Sequence, residues 1–361
     1  MEKLQYVFPT LVRVFTPIAL VRVLTYQFLF LVLVGVHLQA QDAQFAQFFT
    51  APMYMNPAFT GGLEYDVKDP MSKFRYTFQA RSQWNNYRSS LASVDYFNKK
   101  KKIGLGIQAL RTTTGNRGVE KTEVGFSGSY KTPIIEGLNF HSGIMLSVAN
   151  QSPAFRNMTF TDQFNDDRFL GTVTIDNINL QPSIFYYDIS AGGIIFNEKF
   201  WAGGSLYHIN RPNVSMIGDM ARLPWRISLH GGYKYHLKTN KTLVRRKRDR
   251  SIMPNVQYRM QGKFDQLDIG CYYTNEPFLL GMWYRGLPLK QAEDLRISQD
   301  ALVFMVGYKF FGLKIGYSYD IPLTRLGFNF GGAHEISFAF QPLSEASRKK
   351  RTWKSIPMPA M

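Results

Sequence analysis

Residues 73–84 read KFRYTFQARSQW. Phe74, Tyr76, Phe78 and Ala80 fall on one side of an extended chain, and Lys73, Arg75, Thr77, Gln79 and Arg81 on the other. Side chains of a strand point alternately to opposite faces, so the strict period of two predicts a strand with one apolar and one polar face. PWRISLHGGYKYHL (224–237) repeats the pattern, setting Trp225, Ile227, Leu229, Tyr233 and Tyr235 against Arg226, Ser228, His230, Lys234 and His236. LKIGYSYD (313–320) sets Ile315, Tyr317 and Tyr319 against Lys314, Ser318 and Asp320. HEISFAFQ (334–341) sets Ile336, Phe338 and Phe340 against Glu335, Ser337 and Gln341.

A soluble sandwich alternates in the same way, but its strands are commonly about five or six residues long. Many segments here run to about ten, which suits a tilted crossing of a hydrocarbon layer. Fourteen such segments are predicted: 72–83, 89–97, 103–113, 119–131, 137–149, 185–196, 199–209, 224–237, 252–261, 265–274, 277–285, 299–308, 311–320 and 334–342. An even number is expected of a bacterial single-chain barrel, with short turns at the periplasmic end and longer loops outside. The long connections 150–184, 210–223, 286–298 and 321–333 fall at one end, and the tight ones near 197–198, 276 and 309–310 at the other, where the one long connection is KTNKTLVRRKRDR (238–250). The expected fold is therefore an all-β transmembrane antiparallel barrel spanning 71–342, with its apolar face against outer-membrane lipid.

Composition agrees: 45% hydrophobic, 15% aromatic and only 19% charged residues in 361. At the N-terminus, Lys3, Arg13 and Arg22 precede an apolar core from Phe28 to Val36 and the small residue Ala40. This has the layout of a secretory signal, 1–40, cleaved before Gln41; an uncleaved anchor is the alternative. The net charge of +17 raises nucleic acid as a partner, but the basic residues sit in separate turns rather than in a basic, aromatic-interleaved module. On the barrel topology those turns converge at the periplasmic end: Lys99, Lys100, Lys101 and Lys102; Arg245, Arg246, Lys247, Arg248 and Arg250; and Arg348, Lys349, Lys350 and Arg351 in a basic tail, 343–361. They read as a solvated rim, as a docking surface for an acidic partner, or as a contact for anionic headgroups.

No catalytic or cofactor-binding motif is present. His230 and His236 share the lumen parity but stand roughly 20 Å apart along a strand, too far to share a metal. Ser205 and His208 lie on opposite parities, and Asp162, Asp166 and Asp167 lack a calcium-loop pattern. The single cysteine, Cys271, reads as a space-filling strand residue. The lumen is expected to be lined by Lys73, Arg75, Arg81, Arg226, Lys314 and Glu335.

Between the leader and the first strand lies QDAQFAQFFTAPMYMNPAFTGG (41–62). Asp42 is placed to cap a short helix, on which Phe45, Phe48 and Phe49 share a face. Asn56–Pro57 and Gly61–Gly62 supply turns. The segment 41–70 is expected either as a helix and loop packed into the periplasmic mouth as a plug, or as a loose leader.

QDAQF (41–45), AQFF (46–49), NPAFTGG (56–62), RSQWNNY (81–87), SAGGIIFNEKFWAGGSLYHINRPN (190–213) and GGAHEISFAF (331–340) together resemble the PorP/SprF family of outer-membrane proteins of the Bacteroidetes type IX secretion and gliding system. The chain departs from the family in ending RKKRTWKSIPMPAM, with Met358 where some members have a cysteine. The resemblance implies a non-enzymatic role in protein secretion, or in export and surface anchoring of an adhesin. It implies as partners a PorK/PorN-like periplasmic ring or an adhesin C-terminal domain. The alternative is a general porin, whose anion preference would come from the inward row Lys73, Arg75 and Arg81.

Overall fold

The structure is a computed structural model. It describes residues 42–62, 73–153 apart from 85, 116 and 117, then 164–165, 168–169, 183–237, 250–291, 297–310, 312–323, 331–342 and 356–357.

Fourteen antiparallel strands close a barrel. They are β1 (Phe74–Gln83), β2 (Tyr87–Asn98), β3 (Ile103–Thr114), β4 (Val119–Ile135), β5 (Leu138–Pro153), β6 (Ile184–Phe196), β7 (Phe200–Tyr207) and β8 (Arg226–Tyr233, resuming at Tyr235–His236), followed by β9 (Arg250–Gln261), β10 (Phe264–Asn275), β11 (Phe278–Gln291), β12 (Ile297–Phe310), β13 (Leu313–Pro322) and β14 (Ala333–Phe340). Each pairs with its sequence neighbour, and β1 pairs with β14 from Tyr76↔Phe340 to Gln83↔Ala333. Among the described residues, that seam closes the barrel wall so that none of its fourteen strands is an edge strand.

Each expected segment corresponds to one strand. The differences are at the ends: β4, β11 and β12 run further than the alternation suggested, because ladder pairing continues where the apolar rhythm fades. The stretch 224–237 starts two residues later and breaks its ladder at Lys234, whose N–H donates instead to Lys199 O at 2.6 Å. The connection between β5 and β6 contains a small ladder, Phe164–Asn165 with Arg168–Phe169.

The burial pattern is that of a soluble protein turned inside out. Phe78, Leu105, Phe126, Ile144, Tyr187, Leu229, Met282 and Val306 are exposed on the outer wall, while Gln79, Asp95, Gln108, Ser147, Asp188, Glu335 and Ser337 are buried inside. An apolar wall over a polar interior is stable only when the outside is lipid. No helix among the described residues is long and apolar enough to cross a membrane; the strands do the crossing.

Candidate functional site

The interior is filled by the chain's own residues 42–62. Three short turns build this segment: Phe48–Thr50, Pro52–Met55 and Pro57–Phe59. Pro52 and Pro57 each open a turn, since proline fits a first helical position but cannot donate inside one. The expected single helix capped by Asp42 is not formed. Nor do the three phenylalanines share a face. Phe45 packs on Tyr54, Leu91 and Leu110. Phe48 and Phe49 turn the other way onto Trp283, Tyr272 and Trp201. Asn56 instead caps the last turn, accepting from Ala58 N at 2.9 Å and donating to Gly204 O at 2.9 Å.

The segment crosses the barrel rather than sitting at the periplasmic mouth. Asp42 meets Lys121, His208, Arg226 and Gln261, which flank the connections 114–119, 207–226 and 261–264. Thr60 and Gly61 meet Ser129, Ser127 and Asp95, near the opposite connections. On β4, Lys121 and Ser129 lie about 26 Å apart at ~3.3 Å per residue, or about 20 Å of height for a strand tilted by ~40°. Asp42 thus lies at the mouth carrying the long loops, and Gly61 at the mouth from which β1 starts. The expected place for the whole segment was the second mouth, because β1 follows it closely in the chain.

Strand glycines make room for this passage. A Cβ on Gly143 would stand 2.4 Å from Ala58 N and Pro57 C, and one on Gly192 2.0 Å from Asn56 Oδ1. A glycine inside a strand marks such a close approach.

Ion pairs line the wall. Arg259, Asp268, Arg285, Asp320, Arg81 and Glu335 form a chain across β9, β10, β11, β13, β14 and β1, with contacts of 3.9, 2.9, 2.7, 2.6 and 3.1 Å. Glu335 is its end and the segment's anchor. Its two carboxylate oxygens accept from Ala46 N and Gln47 N at 2.7 Å each, and it also receives Gln79 Nε2. Asp42 sits among Lys121 (3.5 Å), His208 (2.7 Å) and Arg226 (3.0 Å). Burial works against charge on Asp42, but His208, Lys121 and Arg226 more than offset it and hold the carboxyl well below the usual carboxylate range. Burial likewise opposes charge on His208; Asp42 and Asp188 outweigh it and push the imidazole up to about 9.

Of the residues expected in the lumen, Arg75 pairs with Asp95 at 2.9 Å, and Arg81 and Glu335 pair as described. Arg226 is buried over Tyr54 and Tyr207. Lys73 and Lys314 are half-buried on the interior parity near the β1 mouth, Lys314 beside a cleft bounded by Glu276, Tyr308 and Lys309. Arg75 and Arg81 are therefore neutralised charges, not the free positive row of the anion-preferring reading. The Lys99–Lys102 turn is exposed at the same mouth. Arg245, Arg246, Lys247, Arg248, Arg348, Lys349, Lys350 and Arg351, with Asp162, Asp166 and Asp167, lie outside the described residues. Ser205 and His208 both bind the segment, Ser205 Oγ donating to Met55 O at 2.9 Å. One feature had no signal in the sequence: Ile356, in the basic tail, is buried in the same cluster as Met55, Ala58 and Phe59. Asp95, Asp188, Asp268, Arg285 and Asp320 stood at interior parity in the sequence and were readable as lumen charges; their pairing needed the register.

A lipid-facing closed barrel whose interior holds its own residues 42–62 defines the class: an integral outer-membrane β-barrel. The sequence profile of the type IX secretion system membrane protein PorP/SprF matches residues 37–340. The chain belongs to that family. A search of curated proteins gave no match. Among solved structures, the chain is similar to the outer membrane protein Omp33 of Acinetobacter baumannii, at 8% identity over 78% of this chain and 99% of that one, with a TM-score of 0.43. It is also similar to a mutant Rh. blastica porin (8% identity, 74% and 98%, TM-score 0.31) and to a deletion mutant of TodX, a monoaromatic hydrocarbon channel (10%, 74% and 90%, 0.39).

Proposed function

We propose that this chain is a non-enzymatic outer-membrane component of the type IX secretion system that holds a protein partner, either in general secretion or in export and surface anchoring of an adhesin for gliding. The observation that carries this reading, beside the family, is the filled interior: residues 42–62 occupy the space a solute would need. The exposed Lys99–Lys102 turn supports docking of an acidic periplasmic partner, a PorK/PorN-like ring or an adhesin C-terminal domain, steered by charge. Deleting the gene is expected to abolish secretion or display of a specific surface protein, with recovery on complementation. A deletion strain with normal secretion, adhesin display and gliding rejects the proposal. The porin alternative is decided by planar bilayers: steady anion-preferring conductance from the intact protein would favour it, and a silent barrel counts against it.

A further inference from the structure

The barrel wall holds residues 42–62 by their main chain as well as by side chains such as those of Asp42, Gln47 and Asn56. Glu335 accepts from two successive N–H groups, of Ala46 and Gln47, and Asp95 accepts from Gly61 N at 2.7 Å. Gln79 Nε2 donates to Gln47 O at 3.2 Å, Tyr207 Oη to Met53 O at 2.9 Å, Ser205 Oγ to Met55 O at 2.9 Å, and Ser129 Oγ to Thr60 O at 2.6 Å. His141 Nδ1 stands 2.9 Å from Ala58 O. These groups come from β14, β2, β1, β7, β4 and β5, so the track follows the segment down the whole lumen. Wall packing alone would need only apolar side chains. Groups that satisfy peptide N–H and C=O instead are the chemistry of peptide recognition, in which main-chain bonds give affinity and side-chain pockets give selectivity. The pockets are present: Phe49 edges onto Trp201 and Tyr272, and Phe59 meets Trp201 edge-on and lies tilted against His230.

We infer that the lumen is a peptide-binding site, self-occupied by residues 42–62, and that its ligand class is an aromatic-rich polypeptide segment. A segment of another chain that presents two adjacent N–H groups to Glu335 and aromatic side chains to the two pockets takes the same track once the chain's own segment withdraws. Only the source of that incoming segment rests on the protein-partner reading above; the site itself does not.

The test uses the full chain with a specific protease site placed within 63–72. After cleavage, the segment is a separable ligand in a folded barrel. A labelled synthetic peptide of residues 41–62 is added in excess, and the label retained per barrel is measured. The expected result is exchange to one label per barrel, competed by unlabelled peptide. Replacing the Ala46 and Gln47 N–H groups with ester oxygens leaves every side chain intact and is expected to weaken competition at least tenfold. Failure of any labelled peptide to enter, or equal competition by the ester peptide, overturns the inference. Either result is independent of the deletion phenotype, so the two readings fail separately.

Discussion

Asp42 Oδ2 lies 2.7 Å from His208 Nε2, and the other nitrogen of that ring lies 3.0 Å from Asp188 Oδ1. A protonated imidazole between two carboxylates ties the start of the interior segment to the wall at the junction after β7. Arg226 and Lys121 hold the same Asp42 from β8 and β4.

The latch should loosen in alkali. His208 is pushed up to about 9 in the folded barrel, against ~6.5 for a free histidine. A raised value means that the histidine's contribution is complete below about 6.5 and is lost as pH rises through about 9, an effect on the order of 3 kcal/mol. The expected outcome is a fall in the hydrogen-exchange protection of residues 42–51, relative to the intrinsic rate at each pH, between pH 7 and 10, with the step absent in His208→Gln. Persistence of the step in that variant would show that a group other than His208 governs the latch and would overturn the prediction.

Glu335 should be the costliest single contact to remove. Glu335→Ala leaves Arg81 with Asp320 as its one remaining carboxylate and frees the N–H groups of Ala46 and Gln47. Breaking one side of a buried ion pair costs about 3–5 kcal/mol. Thermal unfolding of the detergent-solubilised barrel should fall accordingly, with protease cutting near Gln47 accelerated. An unchanged cutting rate would show that the aromatic contacts of Phe48 and Phe49 hold the segment alone.

Phe78 against Gln79 carried the fold: with lipid on one side and a hydrogen-bonded interior on the other, alternation is obligatory, so the strands were legible from residue type. The interior path was not. Asp42 finds His208 across most of the barrel wall, and no local pattern encodes such a pairing. Gly143 and Gly192 stood at interior parity and signalled a close approach, but not by what. Asp95 and Asp320 were visible as lumen carboxylates, yet only the register shows that they neutralise Arg75 and Arg81 and so remove the basis of a free positive row.

Gly143 gives a steric test. A side chain there meets the backbone at Pro57 and Ala58, which cannot swing aside as a flexible tip can. Gly143→Val should displace the segment, weaken the barrel by about 1–3 kcal/mol as overpacked interiors do, and raise ion conductance. Gly128 lies on the next strand with nothing within 4 Å of an added Cβ. Gly128→Ala should change neither property; a matching loss there would point to general strand weakening.

The direction of the segment fixes which mouth Asp42 occupies. Asp42 reaches the mouth that carries the connections 153–184 and 207–226, whereas β1 leaves from the other. Barrels of this kind place their long loops outside the cell. An epitope tag inserted just before Asp42 should therefore be labelled on intact cells, alongside a control tag between Gly218 and Asp219, both of which are exposed in the 207–226 connection. A tag in the Lys99–Lys102 turn should require permeabilisation. If the tag before Asp42 behaves like the lysine-turn tag while the Gly218 tag is outside, the path through the barrel is wrong. If the Gly218 and lysine-turn tags exchange behaviour, the path stands and the barrel's orientation is reversed, with the basic turn then facing the cell surface and no longer placed to meet a periplasmic partner.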